Sequence, residues 1–487
     1  MDSFTDESRK AALSSQNQAP LSESARHRAI IGRLDNLPFG PFHKRLLLLS
    51  GFGWLFDAMD VLLVGSIVAA IGVSWNLTSG QVGEIISANL LGLFFGALLA
   101  GPLSDKLGRR GVYQITLLVY SVFTGLSALA FNPLSLMIVR FLAGLGLGGE
   151  LPVASTLVSE FAPARKRGLI LVLLESFWGY GAVLAALIGY LVIPRFGWQA
   201  AFLIGMLPAL YIFVLRRALP ESPRFLLSQG REAEAVAIID RVVAESGGEP
   251  APAGNTSPKS TAPDRTAAPD QPERKFVLKD LFGAAYRRRT IMLWLLWFAM
   301  VFSYYGIFTW LPSLLRVKGF SLEEAFLLNL LISLAQIPGY FTAAFLVERW
   351  GRKPTLLVFL VCCAVTAFFF GSTALGSGGP VTVGPVLLWG GLTAFFNLGA
   401  WGIVYTYTPE QYPTAARGTG SGFATAFGRF GGVLAPLVVG SLLDITGQST
   451  LVVFVIFAIL LLVGAISVFI LGEETRGKTL EELEVAA

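Results

Sequence analysis

Arg140 and three carboxylates lie inside long apolar stretches of the sequence, where a charge is expensive unless a second charge neutralises it. Arg140 begins the segment RFLAGLGLGGE, and its candidate partners are Asp57, Asp60 and Glu150. An unpaired arginine in apolar surroundings costs a few kcal/mol. We therefore expect Arg140 to be paired within the protein, and we expect the glycines after it to let another helix backbone approach closely.

Two of these acids have a spacing that suits proton binding. Asp57 and Asp60 lie three residues apart in FGWLFDAMDVLLVG, on one face of a helix. Two carboxylates this close in a low dielectric resist double ionisation, so one of them can hold a proton at neutral pH. A purely structural pair with Arg140 is the alternative, and the spacing leaves both open. Glu175, in LLESFWGYG, is a further acid that could relay protons or cap a gate.

Arg429 is a second arginine in the middle of an apolar run, FATAFGRFGGVLAP. A bidentate carboxylate is the best geometric match for a guanidinium. The apolar runs of the second half contain Glu324 and Glu348 as acids, and both lie at the ends of their runs. The sequence therefore favours an anionic substrate as the partner of Arg429, with a permanent salt bridge as the alternative.

Several rings with a polar edge lie at the middle of apolar runs, beside small or polar residues. Such rings suit a flat aromatic ligand, which stacks on ring faces and takes a few hydrogen bonds. Packing within the protein is the alternative for each of them. The candidate pocket residues of this kind, together with one amide, are Trp178, Tyr304, Tyr305, Asn397, Trp401 and Tyr405.

Two polar motifs occur twice, which indicates an internal repeat. The loop GPLSDKLGRR (101–110) matches AFLVERWGRK (344–353) at an offset of about 243 residues, and a Glu-x6-Arg-Gly pattern recurs at an offset of about 250. An acid in such a loop can accept hydrogen bonds from arginine or from helix N-terminal amides, and so latch neighbouring helix ends together. A simple basic loop is the alternative. The candidate latch residues are Asp105, Gly108, Arg109, Glu160, Arg167, Glu348, Arg352, Glu410 and Arg417.

The elements that must position these residues are membrane-spanning helices. Of the 487 residues, 54% are hydrophobic and 14% charged, which excludes an ordinary soluble enzyme. A spanning helix needs about 20 apolar residues. The sequence has six such runs and then six more: 46–71, 84–104, 112–131, 134–158, 168–193 and 198–215, followed by 290–315, 324–346, 354–375, 384–407, 420–441 and 450–471.

The distribution of the basic residues predicts the topology. Arg195, Arg316 and Lys318 are the basic residues in the loops assigned to one side, and nearly all others lie in the termini and alternate loops. This positive-inside bias places both termini in the cytoplasm and makes nucleic-acid binding unnecessary to explain the net charge of +5. Adjacent Cys362 and Cys363, with two histidines before the first run, predict no metal site and no cofactor.

The runs divide the chain into two lobes with a linker between them. We predict a cytoplasmic tail over 1–44, a six-helix lobe over 45–217, a cytoplasmic linker over 218–289, a second lobe over 290–472 and a tail over 473–487. The linker has a helical pattern near 231–246. It then becomes a Pro/Ala/Thr/Gly stretch too poor in large apolar residues to fold.

Together, these motifs resemble the major facilitator superfamily. The segments that carry the resemblance are GPLSDKLGRR, RFLAGLGLGGE, the Glu-x6-Arg-Gly repeats, LPESPRFLL (219–227) and EETRGKTLEELE (473–484), and the last two resemble the sugar-porter branch. Glu348 and Ala344 depart from the loop pattern in the second copy. The resemblance implies an all-α fold of twelve transmembrane helices in two six-helix lobes, with a central site that alternates between the two sides.

Within that superfamily, GWLFDAMDV, GGELPVASTLVSE, VFSYYGIFTWLPS and AFGRFGG look most like the bacterial niacin permeases, relatives of the synaptic vesicle glycoprotein and organic ion transporter group. This resemblance implies uptake of nicotinate with protons. We expect the carrier to be a monomer in the lipid bilayer of the cell membrane. It also implies that Arg429 favours an anion and that Trp178, Tyr304, Tyr305 and Trp401 line the ligand site.

Other readings remain open from the sequence. The alternative substrates are a benzoate-like aromatic acid or, less in keeping with Arg429, a sugar or an organic cation. A receptor that binds a ligand and signals through the linker is an alternative of a different class. It would bind its ligand without accumulating it.

Overall fold

The computed structural model describes residues 23–35, 37–163, 166–246, 278–283, 286–375, 381–412 and 414–476, and these ranges contain helices and no strand. Ten helices within them are long and apolar enough to cross a membrane. One of the ten, Arg167–Ala218, contains two spans, because Gly197 interrupts it with a φ of 82°. The helix Arg109–Ser127 begins with two arginines and completes the twelve spans predicted from the sequence.

The spanning helices are numbered in chain order, and a short break divides several of them. In the first half they are α1 Pro41–Ser74, α2 Ser79–Leu107, α3 Arg109–Ser127 and α4 Pro133–Phe161. The helix Arg167–Gly205 is divided at Gly197 into α5 before it and α6 after it, and α6 continues as Pro208–Ala218. In the second half they are α7 Arg287–Phe308 continuing as Leu311–Val317, α8 Leu322–Leu334 continuing as Gln336–Trp350, α9 Arg352–Phe369 with a π-helical turn Phe370–Ala374, α10 Val383–Glu410, α11 Thr414–Ile445 and α12 Thr450–Leu471.

The two halves repeat the same packing. In the first lobe α2 packs on α4, α1 on α5 and α3 on α4, and in the second lobe the corresponding pairs are α8 with α10, α7 with α11 and α9 with α10. The lobes meet through α2 against α11 and α5 against α8. This repeat of contacts accounts for the repeat of motifs in the sequence.

Short helices lie at the end of the bundle that carries most of the arginines, which we call the basic end. They are Glu23–Asp35, Pro223–Ser228, Glu232–Glu245 and Leu278–Leu281. Glu232–Glu245 lies where the sequence predicted a helix, whereas Glu23–Asp35 lies in the predicted tail and was not expected. Arg33 pairs with Asp240 at 2.5 Å, so the charges that mark a tail in the sequence hold this helix against the linker helix. The low-complexity part of the linker, 247–277, lies outside the described residues.

Glycines bring α2 and α4 into backbone contact, as the sequence predicted for the segment after Arg140. A Cβ added at Gly92 would lie 2.0 Å from the carbonyl oxygen of Phe141, and one added at Gly148 would lie 2.0 Å from that of Leu93. Contacts this short leave no room for any side chain. The position of α2 against α4 therefore depends on these glycines.

The two ends of the bundle differ. At the end opposite the basic end, the lobes are joined: the backbone N–H groups of Ser79 and Gly80 donate to the Asp444 carboxylate at 3.1 and 2.8 Å. Deeper in the same seam, Ser87 donates to the carbonyl of Val433 at 2.8 Å. At the basic end, a cleft between α2, α4, α5, α10 and α11 is lined by residues of both lobes. The structure is thus closed at one end and open at the basic end.

We predict that Gly148→Ala destabilises the fold by at least about 1–3 kcal/mol, because the new methyl group collides with backbone that cannot move aside. Thermal unfolding of the purified protein in detergent measures this. Gly101→Ala is the matched control, since a Cβ at Gly101 meets nothing within 4 Å. The control should be neutral or stabilising by up to about 1 kcal/mol through helix propensity. Equal melting temperatures for the two variants would contradict the packing argument.

Candidate functional site

A central cavity lies between the two lobes, at mid-depth in the bundle. The helices α1, α2, α4 and α5 contribute from the first lobe, and α7, α8, α10 and α11 contribute from the second. The space that no protein atom fills is about 780 Å³, including the part that is open to solvent. Its polar and aromatic lining consists of Trp54, Asp57, Glu175, Trp178, Trp297, Tyr304, Tyr305, Tyr340, Trp401, Tyr405, Thr425 and Arg429.

The aromatic wall is held rigid by its own contacts. The indole N–H of Trp178 donates to the Tyr304 hydroxyl at 2.6 Å, across the two lobes, and that hydroxyl donates to Gln336 at 3.3 Å. The rings of Tyr304 and Trp401 are perpendicular at 6.2 Å. The indole N–H of Trp401 is buried and has no hydrogen-bond partner in the described part of the chain. A donor in that position is available to a ligand.

Arg429 lies in the wall of this cavity, halfway along α11. Its Nη1 is 3.4 Å from the carbonyl oxygen of Leu93, a long hydrogen bond, and no carboxylate of the described residues lies within 4.0 Å of it. Its charged or polar neighbours are Glu175, Tyr305 and Tyr405, which line the same cavity. Unlike Arg140, Arg429 therefore has no carboxylate in salt-bridge contact among the described residues, and the acid that interacts with it from the same cavity wall is Glu175.

Arg140 is neutralised by Asp60, so the structure selects one of the three predicted partners. Arg140 Nη2 lies 2.5 Å from Asp60 Oδ2, and the two side chains are 0% and 1% exposed. The same guanidinium donates to Asn89 at 2.9 Å and to the Thr124 hydroxyl at 3.0 Å. Thr124 donates in turn to the second Asp60 oxygen at 2.6 Å. This network joins α1, α2, α3 and α4, so it has a structural role whatever else it does.

Asp57 is not part of that network. Its carboxyl group lies beside that of Glu150, and both groups are fully buried. Gly53, one turn before Asp57, makes room for this arrangement, because a Cβ there would lie 2.5 Å from Glu150 Oε1 and still closer to the Tyr113 hydroxyl. The acid next to Asp57 is thus Glu150 on α4, whereas the spacing had pointed to Asp60.

The structure brings most of the predicted pocket residues together and separates one. Trp178, Tyr304, Tyr305, Trp401, Tyr405 and Arg429 line the cavity, as do Asp57 and Glu175. Asn397 does not line it, and its amide lies 3.6 Å from the Cys363 sulfur in the interior of the second lobe. Sequence reasoning missed Trp54, Trp297, Tyr340 and Thr425. Helical spacing carries a signal for the first two, since Trp54 is three residues before Asp57 and Trp297 is seven residues before Tyr304.

The first latch lies at the basic end of the first lobe. Arg109 pairs with Asp105 at 3.0 Å and approaches Glu160 at 3.7 Å. Glu221, which sequence reasoning did not single out, accepts hydrogen bonds from the backbone N–H groups of Arg109 and Arg110 at 3.0 and 3.2 Å. Gly108 has a φ of 85°, and a Cβ there would lie 2.3 Å from a Glu221 oxygen. Glycine is therefore required where the loop meets this carboxylate.

The second lobe repeats this arrangement. Arg352 lies 3.3 Å from Glu410 and 4.0 Å from Glu348, so the altered acid of the second copy makes a longer contact. Glu474 accepts the backbone N–H of Arg352 at 3.0 Å, as Glu221 does for Arg109. Gly351 has a φ of 101°, beside Glu474. The pair Glu221 and Glu474 lies at an offset of about 253 residues, and this repeat was the available signal.

The remaining predicted latch residues, Arg167 and Arg417, occupy related positions. Arg167 donates to the carbonyl of Ala162 at 3.3 Å, and Arg417 donates to that of Pro409 at 3.0 Å. Each one holds the end of the preceding helix, α4 or α10, beside the loop that follows it. Both arginines thus belong to the basic end, at the same side as the two latches.

We predict that Asp60→Asn lowers the stability of the protein by about 3–5 kcal/mol, because Arg140 then remains buried without a counter-charge. Thermal unfolding in detergent measures the change. The double variant Asp60→Asn/Arg140→Gln removes both charges and should recover a large part of the loss. If the single variant melts at the temperature of the parent, the pair has no structural role.

Comparison with known proteins agrees with this geometry. Residues 22–487 match the family of sugar (and other) transporters. The niacin transporter NiaP of Acinetobacter baylyi is 46% identical over 454 residues, which are 93% of this chain and 99% of that protein. A gallate transporter of Pseudomonas putida is 31% identical over 415 residues, 85% of this chain and 88% of that protein.

Among solved structures, the partially occluded inward open conformation of the xylose transporter XylE from E. coli matches with a TM-score of 0.71. The match covers 90% of this chain and 99% of that chain, and at 17% identity it shows the fold. The chain therefore belongs to the sugar (and other) transporter family and is a multi-pass membrane transporter with the major facilitator fold, not an enzyme.

Proposed function

We propose that this protein imports nicotinate across the cell membrane by alternating access. The observation that carries the proposal is Arg429, a mid-span guanidinium without a carboxylate partner among the described residues, in the wall of an aromatic cavity. A charge in that place is costly unless a ligand neutralises it. The likeness to a niacin transporter over nearly the whole chain supports nicotinate, a flat aromatic ring with one carboxylate.

In the proposed complex, the carboxylate of nicotinate binds the Arg429 guanidinium through two parallel hydrogen bonds, the arrangement that arginine favours. The pyridine ring lies among Trp178, Tyr304, Tyr305 and Trp401, with Tyr405 at the side of Arg429. The free N–H of Trp401 can donate to the ring nitrogen or to the carboxylate. Because residues of both lobes contribute, the ligand bridges the lobes and can stabilise a closed state.

The orientation follows from the positive-inside bias. The basic end, with its latches and short helices, is proposed to face the cytoplasm, together with both termini. The cleft that opens at the basic end then leads into the cytoplasm, and the structure is inward-facing. In a bacterial cell the membrane is the inner or plasma membrane, where the carrier works as a monomer among lipids.

We further propose that the transport is coupled to protons through Asp57 and Glu150. Two buried carboxyl groups in contact cannot both be ionised without a large penalty, so the pair is expected to share a proton. Asp57 lines the substrate cavity, which places the pair next to the ligand. Asp60 and Arg140 serve as its structural support. Glu175 lines both the cavity and the cleft, a suitable place for a relay between the pair and the cytoplasm.

The two latches give the lobes their rigid-body character in this cycle. Each one ties the ends of its own lobe together through backbone amides and arginines, at the end that must open and close. Because the helix ends of a lobe are tied together, they move as one unit when the contacts between the lobes break or form. Coupling requires that loaded and empty carriers change state easily and half-loaded carriers do not.

Another small aromatic acid is the second candidate substrate. It is favoured by the gallate transporter among the relatives, because gallate also combines a ring with a carboxylate. Competition separates the candidates: benzoate keeps the carboxylate and loses the ring nitrogen, whereas nicotinamide keeps the ring and loses the charge. Inhibition of nicotinate uptake by benzoate but not by nicotinamide would indicate that the site recognises mainly the carboxylate.

We predict that proteoliposomes containing the parent protein accumulate labelled nicotinate, and that Arg429→Ala reduces the uptake at least about 100-fold. The expected loss reflects a charge-assisted pair in a desolvated site, worth about 3 kcal/mol. Arg429→Lys keeps the charge but loses the second hydrogen bond, so it should retain part of the uptake.

Arg195→Ala is the matched control, because Arg195 is exposed and donates to a carbonyl of its own helix, far from the cavity. It should transport like the parent. If the parent takes up no nicotinate but does take up another aromatic acid, the substrate proposal is wrong while the role of Arg429 stands. Normal uptake by Arg429→Ala would remove the anion-binding role.

We predict that Asp57→Asn and Glu150→Gln abolish accumulation driven by a proton gradient but keep exchange of labelled for unlabelled nicotinate. Exchange needs the substrate site and its opening, whereas uphill accumulation needs the proton site as well. Glu84→Gln, an exposed acid at the start of α2, is the control and should keep both activities. Gradient-driven accumulation in both pair variants would show that the proton binds elsewhere.

A further inference from the structure

A second cavity lies at the basic end of the first lobe, away from the central site. It is formed where α1, the start of α3 and the end of α6 meet the linker helix Glu232–Glu245. Five arginines line it, against two glutamates: Arg45, Arg110, Arg217, Arg231 and Arg241. The transport cycle proposed above uses none of these arginine side chains.

The positive charge of this arginine pocket is only partly neutralised. Arg231 pairs with Glu234 through two hydrogen bonds of 2.7 and 2.6 Å. Arg45 and Arg241 share one carboxylate, that of Glu245. The second glutamate of the lining, Glu221, is occupied by backbone N–H groups of the latch.

Arg110 and Arg217 complete the pocket without such a partner. Neither has a carboxylate within 4.0 Å in the described ranges, and Arg110 donates to the backbone carbonyl of Arg216. Several guanidinium groups converging on a concave surface with surplus charge match a phosphate, which accepts several charge-assisted hydrogen bonds. The pocket therefore suits a phosphate-bearing ligand.

The surfaces that lead away from the pocket are apolar. On α6, Leu210 and Phe213 are 62% and 61% exposed and lie seven and four residues before Arg217, on the same helix face. On α1, Leu48 and Phe52 are 50% and 43% exposed and lie three and seven residues after Arg45. The two helices are neighbours there, because the Tyr211 hydroxyl donates to the carbonyl of Leu49 at 3.0 Å.

A basic pocket at the end of two spans with exposed apolar faces has the layout of a phospholipid site. The arginines lie where headgroups lie, and the leucine and phenylalanine side chains lie where acyl chains lie. A soluble phosphate compound would use the arginines but would have no use for the apolar faces. The apolar continuation on both helices therefore favours a lipid.

We propose that this arginine pocket binds the phosphodiester headgroup of an anionic phospholipid, whose acyl chains lie along α1 and α6. The bound lipid stabilises the contact between the first lobe and the linker helix Glu232–Glu245, which is held to α1 by the Arg45–Glu245 pair.

Native mass spectrometry of the full-length protein tests the proposal, with phosphatidylglycerol and phosphatidylcholine offered in equal amounts in detergent micelles. The parent should retain phosphatidylglycerol in preference. Each arginine at a lipid surface changes the affinity about fivefold. Arg110→Gln/Arg217→Gln should therefore lower the retained phosphatidylglycerol at least about tenfold.

Two further variants make the outcome decisive. Arg217→Gln/Arg231→Gln leaves Arg110 beside the latch unchanged and should show a similar loss of retained phosphatidylglycerol. This variant tests the proposal even where the first one folds poorly. Arg287→Gln/Arg288→Gln removes two exposed arginines at the start of α7, outside the pocket, and should retain the lipid like the parent.

Three results would overturn the proposal. In the first, the parent shows no preference for phosphatidylglycerol. In the second, the α7 control loses the lipid as much as the pocket variants do, which assigns the effect to general surface charge. In the third, millimolar inorganic phosphate or glycerol phosphate displaces the lipid, which assigns the pocket to a soluble phosphate compound.

Discussion

A charge inside a lipid bilayer must be neutralised, and this requirement organises the interior of the protein. Arg140 meets it with Asp60, Asn89 and Thr124, and so fixes four helices of the first lobe around one buried pair. Arg429, halfway along α11 in the second lobe, has no carboxylate in salt-bridge contact among the described residues. The first lobe therefore neutralises its buried arginine by itself, whereas Arg429 is left for the anion that we propose as the ligand of the cavity.

At the basic end, backbone amides as well as arginines stabilise carboxylate side chains. Glu221 accepts hydrogen bonds from backbone N–H groups at the N-terminus of α3, and Glu474 does the same at the N-terminus of α9. The helix dipole favours a negative charge at these ends. A carboxylate can approach these amides because glycine precedes them in both copies. Two independent lobes thus solve one local problem in the same way, which is why the motif could be found by comparing the halves.

Much of the fold could be predicted from the sequence, since a membrane admits few structures and apolar length is a direct signal for a span. The cavity residues Arg429, Trp178 and Trp401 could be predicted for a related reason, because polar groups in the middle of an apolar span are costly unless they bind a partner or a ligand. The acid that lies next to Asp57 could not be predicted. Residues three apart on a helix differ by about 60° around its axis, so Asp57 and Asp60 meet different helices, and tertiary packing decides which acid each one meets. The helix Glu23–Asp35 was missed because its partners lie about 200 residues later in the chain.

The seam at the closed end has one further consequence. Gly83 and Gly440 face backbone atoms of the opposite lobe, Pro436 and Ser79. Two smooth surfaces that meet through glycines can part without changing rotamers and without leaving a cavity behind. The hydrogen bonds that must break when this seam opens include those to Asp444 and Val433 and those between Ser79 and Gln448. Opening at this end therefore requires hydrogen bonds to break but little repacking of side chains at the two glycine contacts.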